Sequence, residues 1–313
     1  MAGSVKRKIQ STEAFRRFNA FRWREKMTHP GKEFSDETFY VIRRHANRAG
    51  LFSFVMTNLG SIDIALQKGY IPVIDMQNSP NPMLEADEVG KVNAWEKFFA
   101  QPGGKSLAEI SGAANVILSG IDAPSAYPDY EMLQDTEQLE HWRHLYHVYI
   151  HLLPEIELAA REYMETVFKG MRVLGVLCRG TDYVQVRPKG HPIQPDTQEV
   201  IRRCREVMKE HRLDAIYLAT EDREIWEAFQ EAFPGRIFSF QRMHLSLRPG
   251  ENVNDIGNKI QGATDRNREY LTSIRILSMS DCFVAGAANG SYAALLMTDG
   301  FEYQYIYQLG TYE

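Results

Sequence analysis

Three features of the sequence predict an α/β protein built from two doubly wound halves. Short apolar runs of strand length alternate with longer helical segments, most regularly beyond residue 170. Glycines punctuate several element ends, as at Gly50 and Gly69. The length, 313 residues with 44% apolar, exceeds what one ordinary core needs, and the expected division is residues 1–165 and 166–313.

The first 30 residues carry Lys6, Arg7, Lys8, Arg16, Arg17, Arg22, Arg24 and Lys26 against only Glu13 and Glu25, with Phe15, Phe18, Phe21 and Trp23 interleaved. Two readings fit: a surface helix that touches anionic lipid, or a solvated helix whose aromatic face packs on the first domain. Ser53–Lys68 reads as a helix opening after Gly50, and Tyr70–Asp75 as a strand after the Gly69 stop. Residues 76–128 mix Pro, Gly and Asn turns with a short helix near Asn93–Ala100 and a strand near Asn115–Leu118. Thr136–Lys169 reads as one helical region in which Pro154 is either a break or the first turn of a second helix, and the domain junction falls here. Beyond it, strands near 173–178, 215–219, 236–240, 282–285 and 304–307 alternate with helices near 196–210, 223–232, 266–279 and 290–297. That order is a Rossmann-like half.

Composition narrows the function. A net charge of −5 offers no broad electrostatic footprint for nucleic acid. Cys178, Cys204 and Cys282 are odd in number and widely spaced, which argues against a disulfide framework and for a reducing cytoplasm. No run approaches the roughly 20 apolar residues of a membrane span, and the N-terminus lacks the apolar core of a signal peptide, so a soluble, cytoplasmic protein is expected. His141, His144, His147 and His151 share a helical face, but Trp142, Leu145, Tyr146 and Tyr149 make a packed or interdomain helix the better reading than a metal site. Neither Asp-x-Asp nor His-Glu-x-x-His occurs, and metal-free chemistry without a cofactor is expected.

The most informative segment is Gly175-Val-Leu-Cys-Arg-Gly-Thr-Asp182, with His191-Pro192-Ile193 after a gap of residues 183–190. The apolar run Val173–Cys178 ends at Arg179, placing a guanidinium at the sheet edge where open α/β folds bind ligands, and a guanidinium clamps phosphate through paired hydrogen bonds. Glu221 and Asp222 close a second strand at that edge, with Asp222 also placed to cap a helix. After a third strand, Gly286-Ala-Ala-Asn-Gly-Ser-Tyr292 opens a helix whose first amides suit an anion.

These segments resemble the α1,6-fucosyltransferases and their protein O-fucosyltransferase relatives, whose donor motif reads His-x-Arg-Arg-Thr-Asp and, in the eukaryotic α1,6 enzymes, continues at the same spacing into His-Pro-Ile. Ile216-Tyr-Leu-Ala-Thr-Glu-Asp222 is similar to the family's Tyr-Leu-Ala-Thr-Asp-Asp, and Ile274–Asp281 with Phe283-Val284 resembles its helix and strand ahead of the last donor loop. The resemblance covers the second half of the chain and only loosely the first. It implies the GT-B fold, two Rossmann-like domains facing across a cleft, and fucosyl transfer from GDP-fucose. Arg179 matches the arginine that contacts the β-phosphate, Asn289 the phosphate-contacting serine, and Ser273 the aspartate that reads guanine.

The expected site therefore has Arg179 and Asp182 as catalytic residues, Asp182 orienting the loop or Arg179. Thr181, Thr220, Glu221, Asp222, Ser273, Asn289, Gly290 and Ser291 form the donor side, and Arg187, His191 and Asp75 the acceptor side. Departures from the family pattern are Leu177 for its histidine, Gly180 for its second arginine, Tyr183 for a lysine, and Arg187 for the acceptor glutamate; an arginine is no base at neutral pH. The first expectation is an inverting, metal-independent transferase acting on a bacterial surface glycan. Its alternatives are a different nucleotide-sugar donor, or a catalytically silent nucleotide-sugar or glycan-binding protein.

Overall fold

The computed structural model describes residues 23–180, 187, 189–241, 243–246 and 253–313. The basic segment up to Arg22, and with it most of the expected lipid contact, lies outside the described residues, as do Thr181 and Asp182.

The first half is a four-stranded sheet in the order β1-β4-β2-β3, formed by β1 (Lys26–Thr28), β2 (Phe39–Arg43), β3 (Ile71–Asp75) and β4 (Val116–Leu118). β2 pairs in parallel with β3 and β4, while β1 joins β4 antiparallel. α1 (Leu51–Gln67) connects β2 to β3 and begins at Gly50, whose extended backbone serves as its N-cap. The central strand β2 is one of the elements that the sequence reading passed over, as is β1, which lies where a basic surface helix was expected. The β2 run Phe-Tyr-Val-Ile carries the aromatic and β-branched signal of a strand, but it stands ahead of the first helix with no punctuating glycine beside it.

Two helices follow, not one: α2 (Thr136–Tyr149) and α3 (Pro154–Val167). Between them the chain is extended, because the Ala100 amide donates to the His151 carbonyl at 2.9 Å and the Leu153 amide to the Phe98 carbonyl at 3.0 Å. Pro154 then sits in the first turn of α3, where its missing N–H costs nothing.

The second half is a five-stranded parallel sheet ordered β7-β6-β5-β8-β9, from β5 (Val173–Leu177), β6 (Ala215–Ala219), β7 (Ile237–Phe238), β8 (Cys282–Gly286) and β9 (Tyr303–Tyr307). Its helices are α4 (Thr197–Glu210), α5 (Arg223–Ala232), α6 (Val253–Gln261), α7 (Ala263–Ser278) and α8 (Asn289–Met297). Strand alternation divides this sheet between two cores. Leu174, Val176, Ile216, Leu218 and Val284 pack with α4 and α5, whereas Leu177, Tyr217, Ala219 and Phe283 face the layer of α7 and α8. Both faces are covered, so the strands read as unbroken apolar runs. Gly175 allows the end of α7 and the turn after it to approach closely: a Cβ there would lie 2.8 Å from Ser280 Oγ and 3.2 Å from Leu277 Cδ2.

The halves meet along a continuous apolar cluster that runs from Tyr40 and Phe54 through Trp142 to Leu295 and Phe283. Polar contacts stitch the same seam. Arg143 Nε donates to the Leu295 carbonyl at 3.0 Å, Asn258 Nδ2 to the Pro82 carbonyl at 2.9 Å, and Lys97 Nζ to Thr264 Oγ1 at 3.0 Å. Arg275 of α7 grips Glu157 of α3 with two bonds of 2.8 and 2.9 Å. Thus α2 packs on α8 and α3 on α7, and the helices between the two sheets bind chiefly to the second.

Candidate functional site

The strand order β6-β5-β8 puts the reversal of the second sheet between β5 and β8, and in open α/β sheets the crevice at the carboxyl ends of such strands receives ligands. All three motif segments end there. Leu177 is in register with Ala219 on one side and Ala285 on the other. Extending that register by two places sets Arg179 between Glu221 and Ala287, on the side of the sheet that faces α7, α8 and the first half.

Arg179 Nε lies 3.0 Å from Glu221 Oε1, with the two side chains only 16% and 14% exposed. The contact is an ion pair in a half-dry setting, where charges interact more strongly than at an open surface. Cys178, immediately before, has its thiol pKa pushed up, first by burial and then by Glu221 and Asp222, so it stays protonated and is packing rather than chemistry.

Asp222 performs the capping role expected of it: Oδ1 accepts from the Glu224 and Ile225 amides at 2.8 and 3.2 Å. Its other oxygen lies close to Gly180. A Cβ on Gly180 would stand 2.3 Å from Asp222 Oδ2, so no larger residue fits beside Arg179 without moving that carboxylate. Thr220 is buried, its Oγ1 accepting from the Asp222 amide at 3.2 Å.

On the other side of Arg179, Ala287 and Ala288 lead into α8, which begins at Asn289. Asn289 is partly exposed at the helix start, while Gly290 is buried with the Tyr270 hydroxyl 2.5 Å from where a Cβ would stand. Tyr270 also meets Phe52 edge-to-face at 5.2 Å, linking the first turn of α1 to the first turn of α8 across the seam. Ser291 is fully buried and its Oγ donates back to the Gly286 carbonyl at 2.5 Å, so its hydroxyl shapes the turn.

Ser273 needs correcting. It is 0% exposed, and its Oγ accepts from the buried Tyr217 hydroxyl at 2.8 Å. A side chain sealed under α7 belongs to the core and does not touch a nucleobase.

The acceptor-side residues are dispersed. His191 is exposed, and the His-Pro-Ile segment pairs with the chain beyond β9: the Tyr312 amide donates to the His191 carbonyl at 2.9 Å and the Ile193 amide to the Gly310 carbonyl at 2.9 Å. Arg187 is exposed, with a positive φ of 47°. Asp75 ends β3 on the first sheet, where its carboxylate is occupied by its own turn, accepting from the Gln77 and Asn78 amides at 3.0 Å each and from Asn78 Nδ2 at 2.9 Å. His141, His144 and His147 lie on the exposed face of α2, and among the described residues no group of three His, Cys, Asp or Glu is placed to hold a metal ion. Among the described residues no helix is long and apolar enough to cross a membrane.

Two features escaped the sequence reading. His244 lies against the site: its Nδ1 is 3.0 Å from the Thr220 carbonyl and its ring stacks on Trp226 at 4.4 Å, with burial lowering its pKa. Leu245 is held there by bonds to the Glu221 carbonyl and from the Arg223 amide, at 2.7 and 3.1 Å. No local pattern ties residue 244 to residue 220, so only the pairing reveals it. The second is Arg43-Arg44-His45 at the carboxyl end of β2. Arg43 Nε donates to the Ser119 carbonyl at 2.9 Å, and Arg44 Nη1 to Thr57 Oγ1 at 3.0 Å.

No family model matches the sequence, and no curated protein matches it. Solved structures do resemble it. The POFUT1 apo-form superposes with a TM-score of 0.50 at 10% identity, over 87% of this chain and 98% of that one. The shared property is the fold. NodZ alpha-1,6-fucosyltransferase soaked with GDP-fucose gives 0.49 at 14% identity, over 84% and 93%, and fucosyltransferase NodZ from Bradyrhizobium gives 0.48 at 14%, over the same shares. The chain has a GT-B-like α/β fold, as the order of its elements predicts.

Proposed function

We propose that the chain is a glycosyltransferase that transfers fucose from GDP-fucose, with inversion and without a metal, to a bacterial surface glycan on the cytoplasmic side of the membrane. The observation that carries this reading is the Glu221–Arg179 pair just past the adjacent ends of β6 and β5, beside the end of β8 and the start of α8. Its supports are the three family-like segments, which converge at this one edge, and the GT-B-like fold.

Breaking the bond between the anomeric carbon and the phosphate oxygen leaves an electron pair, and growing negative charge, on the diphosphate. Stabilising that charge is the main electrostatic demand of the step. Arg179 stays ionised and offers a planar fork of donors, and the amides of Asn289 and Gly290 open α8 on the same edge. Together they form a cationic, amide-rich seat for the departing diphosphate. Asn289 contacts phosphate, and Asp182 orients the loop. Arg187 and Lys189 on the acceptor side suit an acidic glycan. The N-terminal basic segment is the part proposed to meet the membrane.

The test is Arg179→Ala assayed with GDP-fucose. Transfer should fall by roughly 100-fold or more while the fold is retained. Retained transfer removes the assignment. Thermal shift against GDP, UDP, CDP and dTDP identifies the donor, since only a nucleotide that binds the folded state raises the melting temperature. Binding of GDP with no turnover on any glycan would instead favour a nucleotide-sugar-binding protein, the reading that the arginine at position 187 supports.

A further inference from the structure

Glu221 sits where the proposed diphosphate must arrive, and it is the wrong sign to welcome it. A carboxylate 3.0 Å from the guanidinium that neutralises phosphate, and 14% exposed, would repel the ligand if it remained between them. We propose that Glu221 is a positioning residue, the resident counter-ion of Arg179. It holds the guanidinium at the strand edge in the empty site, and gives it up in part to the diphosphate and takes it back as the product leaves.

This inference rests on the proposed nucleotide-sugar site and goes beyond it by changing what Glu221 does: it is not a donor contact. Register supplies the reason. Arg179 and Glu221 are neighbours across β5 and β6 two residues past the pair Leu177 and Ala219, so the strands themselves hold the charges together. The Glu221 main chain is fixed as well, its carbonyl accepting from Leu245 at 2.7 Å. Asp222 caps α5 and lies against Gly180, while Glu221 is the carboxylate that the register brings to 3.0 Å from Arg179 among the described residues.

A counter-ion and a ligand contact predict opposite signs. Removing the charge but not the shape, with Glu221→Gln, frees Arg179 for phosphate and should tighten GDP by roughly tenfold. Guanosine, which lacks phosphate, should bind E221Q as it binds the wild type. Glu221→Asp keeps the charge and should leave GDP affinity within about twofold of wild type. With GDP-fucose, E221Q should lower KM and kcat together, because the product is held longer.

The experiment is calorimetric titration of GDP and guanosine into the wild-type chain, E221Q and E221D, each first checked by thermal melting. GDP binding to E221Q that is equal to or weaker than wild type overturns the counter-ion role, as does loss of guanosine binding. A wild-type chain that binds no GDP overturns the nucleotide site itself, and the two failures are told apart by that first titration. If E221Q does not fold, E221D decides: weaker GDP binding by more than about tenfold would mark Glu221 as a ligand contact and refute the proposal.

Discussion

Gly180→Ala tests the local geometry of the site most directly. The new Cβ would stand 2.3 Å from Asp222 Oδ2, 2.7 Å from its Cγ and 2.9 Å from its Cβ. Relief requires the Asp222 side chain to rotate, which breaks the bonds of 2.8 and 3.2 Å that cap α5. Loss of such a cap costs about 1 kcal/mol, and residual overpacking adds about 1–2 kcal/mol. Gly180 does not have a left-handed backbone, so alanine adds no backbone penalty of its own. The expected cost is therefore about 2–3 kcal/mol, read as a lower denaturation midpoint. Asp222→Ala alone should cost about 1 kcal/mol. In the double variant only the 2.9 Å approach to the Cβ of residue 222 remains, and Gly180→Ala should cost clearly less there than in the wild type. Denaturant melts of the four proteins complete the cycle. If the alanine costs the same with and without Asp222, the collision is not its cause and the explanation for glycine at this position fails.

Two further predictions concern the frame around the site. The Arg275 guanidinium bonded to Glu157 holds that carboxyl down to about 2, with burial opposing and Arg161 assisting. A depressed carboxylate stabilises the fold above its unfolded value of about 4.3 and loses that contribution as pH falls toward 2. Glu157→Gln should therefore be less stable than wild type at pH 7, and the gap should close between about pH 4 and 2 in acid melts. A gap that persists at pH 2 would show that the pair does not carry the difference. Gly60 lies inside α1, where alanine ordinarily favours the helix, but a Cβ there would meet the Ala126 carbonyl oxygen at 2.2 Å. Gly60→Ala should destabilise by about 1–3 kcal/mol, and a melt showing stabilisation would contradict the packing of that loop on α1.

The second half was legible because its three central strands, β6, β5 and β8, are buried on both faces, and α4 and α5 open on side-chain caps. Asp222 shows why such signals are local: a residue that caps the helix after it can be recognised from the few positions that follow. The first half was less legible. β2, its central strand, is a short run whose two partners, β3 and β4, come later in the chain, and the segment joining those two partners forms little regular structure. Asn93–Ala100, expected as a helix, narrows to a single turn at Trp95–Lys97, because Trp95 and Phe99 stack at 4.3 Å and the next residues pair with the chain before α3.

From the order of residues alone came the alternation of strands and helices, the arrival of Arg179 at a strand end, and the start of a helix near residue 290, since period, capping and turn chemistry act over a few neighbours. Tertiary structure decided which charges and hydroxyls are available. Strand register set Arg179 against Glu221, burial withdrew Ser273 and turned the Ser291 hydroxyl inward, and chain pairing brought His244 to Thr220. These depend on contacts between residues far apart in the chain, whose distances and desolvation are properties of the packed fold rather than of any short segment.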